Sequence, residues 1–129
     1  MEQSGNNYYN AGVCAHLLGK TDEAIDQWER AIAMDMKLPE AHVNLGTTYF
    51  VKKGERERGL RHMQRALRLK PKDMEIRFNL GAMYDSVGEL ELAKKLLEDC
   101  VRCDIENADV LLRNVNAKIA AKALAKEKK

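Results

Sequence analysis

Cys100-Val101-Arg102-Cys103 has the spacing of a redox or metal-binding cysteine pair. A reactive pair needs a helix N-terminus or a cation to hold its thiolate. The apolar rhythm around this pair puts it near the end of a helix, where the dipole acts the other way. Zinc would require two further ligands, and Cys14 with His16 belongs to a helix far earlier in the chain. The cysteines therefore read as structural thiols. His16, His42 and His62 fall on three different helices, with no nucleophile or orienting acid at a recognisable spacing, so no catalytic constellation converges. The glycines are isolated and form no phosphate-cradling loop. The sequence is read as that of a non-enzyme, with no catalytic residue, metal site or cofactor.

Amides offer another chemistry. Asn10, Asn44 and Asn79 recur at intervals of 34 and 35 residues, each two places before a glycine. Asparagine is a poor helix former, so propensity does not account for three in register. Packing between repeats is one account. The other is a ladder that grips a peptide backbone, since each amide carries both a donor and an acceptor.

What positions the ladder is a repeat. Gly12 and Gly19, Gly46 and Gly54, and Gly81 and Gly88 form three pairs. Five residues beyond each second glycine stand Ala24, Gly59 and Ala93, and seven beyond those stand Ala31, Ala66 and Cys100. Ala11, Leu45 and Leu80 precede the first glycines, and Trp28, Met63 and Leu97 fill the later halves. The units are 5–38, 39–73 and 74–107, the middle one carrying an extra residue between Tyr49 and Gly54. Each reads as two closely packed helices, with the second glycine stopping the first helix. Thr21-Asp22-Glu23 suits a helix start. Pro71 ends the second helix of the middle unit, and Pro39 opens that unit. An apolar stripe from Val110 to Ala123 predicts a terminal helix over roughly 108–125 that covers the last repeat.

These residues resemble the tetratricopeptide repeat family. Asn79-Leu80-Gly81…Tyr84…Gly88…Ala93…Leu97…Cys100 carries its pattern well, and Asn44-Leu45-Gly46…Tyr49…Gly54…Ala66…Pro71 comparably. The departures are Tyr8, His42 and Arg77 in the early Trp place, a terminal Pro only at Pro71, and Gly59 for the most dependable Ala. Gly59 is read as costing about 1 kcal/mol of helix propensity while keeping its slot small. The resemblance implies an all-α, right-handed α-solenoid of three helix–turn–helix repeats plus a C-terminal capping helix, one domain over 1–129. The first helices of such repeats line a concave groove.

The expected function is a non-enzymatic adaptor that holds a peptide or helical segment of a partner protein in that groove. Backbone bonds fall to Asn10, Asn44 and Asn79, with Arg113 in the same slot of the terminal helix. Tyr9, Val43, Phe78 and Leu112 supply apolar contacts, and Val13 and Thr47 lie one turn on. Relatives that hold acidic chaperone tails use Lys and Asn in the first unit, where this chain has Tyr9 and Val13, and Lys and Arg in the third, where it has Glu75 and Asn79; only Asn44 of the second unit fits their pattern, which argues against Hsp70 and Hsp90 C-terminal tails. A self-associating structural unit, through the first repeat or the terminal helix, is the second reading, and a substrate-selecting arm of a larger enzyme the third.

Charge is balanced overall at +2, which gives no ground for a nucleic-acid partner. It alternates along the chain: −3 over 1–38, +5 over 39–73, −5 over 74–112 and +5 over 113–129, an order that makes neighbouring units attract. Arg58, Arg61, Arg65 and Arg68 fall on the outward helix of the middle unit and form a candidate convex patch for an acidic partner. No apolar run reaches the ~20 residues of a membrane span, so no membrane insertion is expected. The opening Met1-Glu2-Gln3-Ser4-Gly5 has neither the basic stretch nor the apolar segment of a secretory signal. A cytosolic or nuclear setting is the expectation.

Overall fold

A computed structural model describes residues 4–128. All regular structure among them is helical: α1 Gly5–Leu17, α2 Thr21–Met34, α3 Pro39–Thr47, α4 Arg56–Leu69, α5 Met74–Ser86, α6 Leu90–Arg102 and α7 Ala108–Glu127. The chain divides into two compact units, one up to Pro71 holding α1 to α4, the other from Lys72 holding α5 to α7.

In the first unit, Trp28, Leu45 and Tyr49 form a buried cluster with Ala15 and Ala24, and Tyr9, Val13, Ile25 and Ile32 pack around it. The second glycine of each pair ends its helix in the left-handed region, with φ of 77° at Gly19, 69° at Gly54 and 84° at Gly88. The residue after it donates its N–H back to the preceding helix: Lys20 to the Ala15 carbonyl and Glu89 to the Tyr84 carbonyl, both at 2.9 Å. α2, α4 and α6 follow N-cap residues Lys20, Glu55 and Glu89 that make no side-chain cap bond, and the Thr21 hydroxyl is not used as one. Ser4 and Asp73 cap α1 and α5, accepting from the N–H of Asn7 and Ile76. Pro39 sits in the first turn of α3, and α4 stops at Leu69, two residues before Pro71.

The extra residue of the middle repeat is absorbed at one point. After Thr47 the helix widens into a π turn over Thr48–Lys52, with Lys53 N–H bonded to the Thr48 carbonyl at 3.1 Å. The closing bond then spans one residue more than in the other repeats, from Glu55 N–H to the Tyr49 carbonyl, yet keeps its length of 2.9 Å. The wider turn also explains Gly59. A Cβ there would lie 2.6 Å from the Gly46 carbonyl oxygen and 2.8 Å from Phe50 Cβ, so the slot that holds Ala24 and Ala93 elsewhere has no room for a methyl group here. Gly59 answers a close approach of backbones, beyond keeping the slot small.

In the second unit, Leu90, Ala93, Leu97 and Val115 are buried together, with Phe78, Tyr84, Leu111, Leu112 and Ile119 packed against them. Cys100 is fully buried in the small slot, its thiol 3.6 Å from the Met74 carbonyl and pushed up in pKa by burial first and by Asp99 second. Cys103 lies exposed at the end of α6. Among the described residues no helix is long and apolar enough to cross a membrane, and no group of three or more His, Cys, Asp or Glu side chains is placed to hold a metal.

Candidate peptide-binding surface

In the first unit, α1 and α3 bring Tyr9, Val13, Asn44 and Thr47 to one cavity of about 330 Å³, which His16, Trp28 and Thr48 complete. Asn44 reaches the Tyr9 hydroxyl at 3.5 Å, a long contact that leaves most of the amide's capacity unused. The Thr47 hydroxyl donates to the Val43 carbonyl at 3.0 Å, so its oxygen remains free to accept. Trp28 forms part of the lining and is only 2% exposed, with its Nε1 unpaired. A Cβ on Gly12 would stand 2.4 Å from that nitrogen, so the first repeat's glycine is the space the indole fills. Asn10 is exposed and Val43 half-buried, and neither lines the cavity. The contribution of Trp28 to this surface was hidden in the sequence, where it reads as packing between helices, and Thr48 carries no mark that would single it out.

In the second unit, Asn79 is exposed on α5 beside a half-buried Phe78. Phe78 and Leu112 both pack on the Leu90–Leu97 core, so part of their apolar surface is already covered. Arg113 is exposed. Burial fixes the register of α7. Val115 is 0% exposed and takes the place of Leu45 and Leu80, so the slot of Asn44 and Asn79 falls to Asn114, one residue beyond Arg113. Lys118 of α7 pairs with Asp85 of α5 at 2.8 Å.

On the other side of the first unit a chain of polar side chains links three helices. Tyr49 donates its hydroxyl to Glu29 at 2.9 Å and stacks on His62 at 5.7 Å between ring centroids. Burial, then the bond to Glu29, pushes the Tyr49 pKa up to about 12. His62 Nδ1 meets His42 Nδ1 at 3.2 Å, and His42 Nε2 meets the Met36 carbonyl at 3.2 Å. That carbonyl can only accept, so neutral His42 donates from Nε2 and accepts at Nδ1 from His62 Nδ1–H. Burial lowers both histidine pKa values. Arg58 lies over the Tyr49 ring at 4.3 Å and 3.9 Å from Glu29, so it belongs to this chain as much as to the convex patch. Arg61 and Arg68 are exposed and Arg65 half-buried. Two of the residues in the early Trp place reach the next helix: His42 meets His62, and Arg77 pairs with Asp99 at 2.8 Å.

Two family models match the chain, one described as TPR repeat over residues 16–53 and one as Tetratricopeptide repeat over 47–108. Comparison with curated proteins gives no match. Among solved structures, the first TPR of Spaghetti (RPAP3) bound to the HSP90 peptide SRMEEVD is similar at TM-score 0.81 and 24% identity, over 93% of this chain and 96% of that one. The Sgt2 TPR domain from Aspergillus fumigatus is similar at TM-score 0.77 and 18% identity, over 92% and 81%. MamA is similar at TM-score 0.72 and 24% identity, over 82% of this chain and 61% of that chain.

The expectation that Hsp90 tails are excluded is overturned by the first of these structures. A fold that matches this one so fully is one that holds an HSP90 peptide. Tyr9, Val13, Glu75 and Asn79 offer no cation to a terminal carboxylate pair, but that pairing is not the whole of peptide capture. A peptide is also held through its backbone and its apolar side chains, and those contacts need no cation.

The fold is the all-α repeat solenoid, with three helix–turn–helix units and a final capping helix. The chain belongs to the tetratricopeptide repeat family, whose members are non-catalytic interaction scaffolds.

Proposed function

We propose that this protein is a non-enzymatic adaptor that holds a peptide segment of a partner protein against the faces of α1 and α3 in the first unit. The observation that carries this reading is the cavity in the first unit, where an under-used Asn44 amide stands beside the apolar surfaces of Tyr9, Val13 and Trp28. That pairing suits an extended chain: the amide meets a peptide unit, and the cavity takes a side chain. Asn10, exposed on α1 of the same unit, offers a second amide, and Asn79 stands exposed at the equivalent place of α5 in the second unit. The HSP90 peptide held by the similar structure is the first ligand to try.

Fluorescence anisotropy with labelled SRMEEVD peptide, alongside a random peptide library, tests the reading. Replacing Asn10 and Asn44 together by Ala removes up to two hydrogen bonds worth about 1 kcal/mol each, so affinity for a captured peptide should fall about tenfold or more while helicity stays constant. Unchanged affinity would rule the amides out as the gripping groups.

A further inference from the structure

The second helix pair of the first unit shows what the outer face of such a pair holds. Leu45 and Tyr49 are buried there at 0% and 4% exposure, packed against α2 of the preceding repeat. Ile25 and Ile32 of α2 pack on the same cluster. Between them Glu29 accepts from the Tyr49 hydroxyl at 2.9 Å, with Arg58 at 3.9 Å and His62 at 3.7 Å. The face formed by α3 and α4 thus receives a helix that reads apolar, charged, apolar at i, i+4 and i+7, and a cation of its own answers the acid in the middle.

The same face of the α1–α2 pair is exposed and carries the opposite charge. The places of Leu45 and Tyr49 fall to Ala11 and Ala15, and those of Arg58 and His62 to Glu23 and Gln27. Ala11, Cys14, Ala15 and Leu18 floor a groove of about 550 Å³, with Asp22, Glu23 and Asp26 along it and Lys20 as its one cation. Ala15 stops at a methyl where Tyr49 carries a phenol, so the groove keeps room for a long side chain. Asp22 and Asp26 meet Lys53 and Arg30, whereas Glu23 is exposed and makes no ion pair among the described residues.

We propose that this groove docks an amphipathic helix of a partner protein, seated as α2 seats on α3 but with an arginine or lysine where α2 carries Glu29. A helix with an acid at that place would set a carboxylate against Glu23. A second copy presenting this same face would set its Asp22, Glu23 and Asp26 against their own kind. Repulsion disfavours both, and a cationic helix is what the groove complements. The groove shares no lining residue with the cavity of Tyr9 and Asn44, so the two sites stand or fall separately.

The probe is a labelled, alanine-based helical peptide of about 20 residues with Ile, Arg and Ile at i, i+4 and i+7; its twin has Glu in place of Arg. Fluorescence anisotropy with the full chain should show the Arg peptide binding about fivefold or more tighter than the twin. Glu23→Arg should abolish or reverse that preference. Ala11→Arg, at an exposed helical position, should weaken the Arg peptide about fivefold or more, with circular dichroism confirming retained helicity. The cysteines report where the peptide sits, since Cys14 and Cys103 are both exposed and only Cys14 lines the groove. Saturating Arg peptide should slow alkylation of Cys14 severalfold and leave Cys103 unchanged. No binding of the Arg peptide at about millimolar concentration overturns the proposal. So do equal affinities for the two peptides, or binding that leaves Cys14 unprotected.

Discussion

Gly59 would gain up to about 1 kcal/mol of helix propensity on becoming alanine. Its new Cβ would stand 2.6 Å from a backbone oxygen, which no side-chain rotation relieves. The steric effect is the larger, so Gly59→Ala should destabilise the protein by about 1–3 kcal/mol, read as a lower urea midpoint. The buried histidines set a second balance. His42 and His62 have pKa values below the ordinary histidine value of about 6.5, burial being the first cause, with Arg65 adding to it at His42 and His42, Arg58 and Arg61 at His62; Glu29 opposes at both. The unfolded chain binds these protons more readily. Stability is therefore complete above pH 6.5 and declines as pH falls from there through the lowered values. Urea midpoints should drop between pH 7.5 and pH 5.5 in the native protein, and the drop should shrink in a His42→Gln, His62→Gln variant. None of this was legible in the sequence, because Glu29, His42 and His62 stand on three helices and meet only once those helices pack.

The π turn and Gly59 form one device: the helix carries a surplus residue, and the facing helix gives up a methyl group to accommodate it. Deleting Val51, which is 69% exposed, should return the turn to α geometry and remove the crowding at Gly59. Gly59→Ala should then cost little or become favourable in the deletion background. A double-mutant cycle on unfolding free energies measures this coupling, and additive effects would mean that the two features are independent. The repeat lengths exposed the surplus residue, and the spacing of small residues exposed every helix pair. The form of the widened turn stayed hidden, because no residue type marks it. The terminal helix misled for a related reason. Without a glycine pair to anchor it, the sequence puts Arg113 in the asparagine slot, whereas the burial of Val115 against α6 assigns that slot to Asn114.

The alternation of charge along the chain reappears as bonds between neighbouring repeats. Lys53 meets Asp22 and Arg58 approaches Glu29 within the first unit, and Lys118 meets Asp85 within the second. Exposed pairs of this kind guide order more than they add stability. Along α7 the support is uneven: Val115 is fully buried, whereas every described residue from Ala120 onward is exposed. Amide hydrogen exchange should therefore be slow around Val115 and fast beyond Ala120. The helix pairs could be read from spacing because repeats state the same instruction three times, and the family followed from the likeness of those repeats to a known pattern. The partner could not, since each groove residue occurs once and a search for one kind of contact, the cation, dismissed a ligand class that the fold accommodates. Trp28 is the sole tryptophan, and it lies in the core of the first unit. Its emission is thus a dye placed on one side of Pro71 only. A melting curve followed by that light reports the N-terminal four helices and is blind to the other three, so any gap between it and a curve followed by circular dichroism measures how independently the two parts come undone.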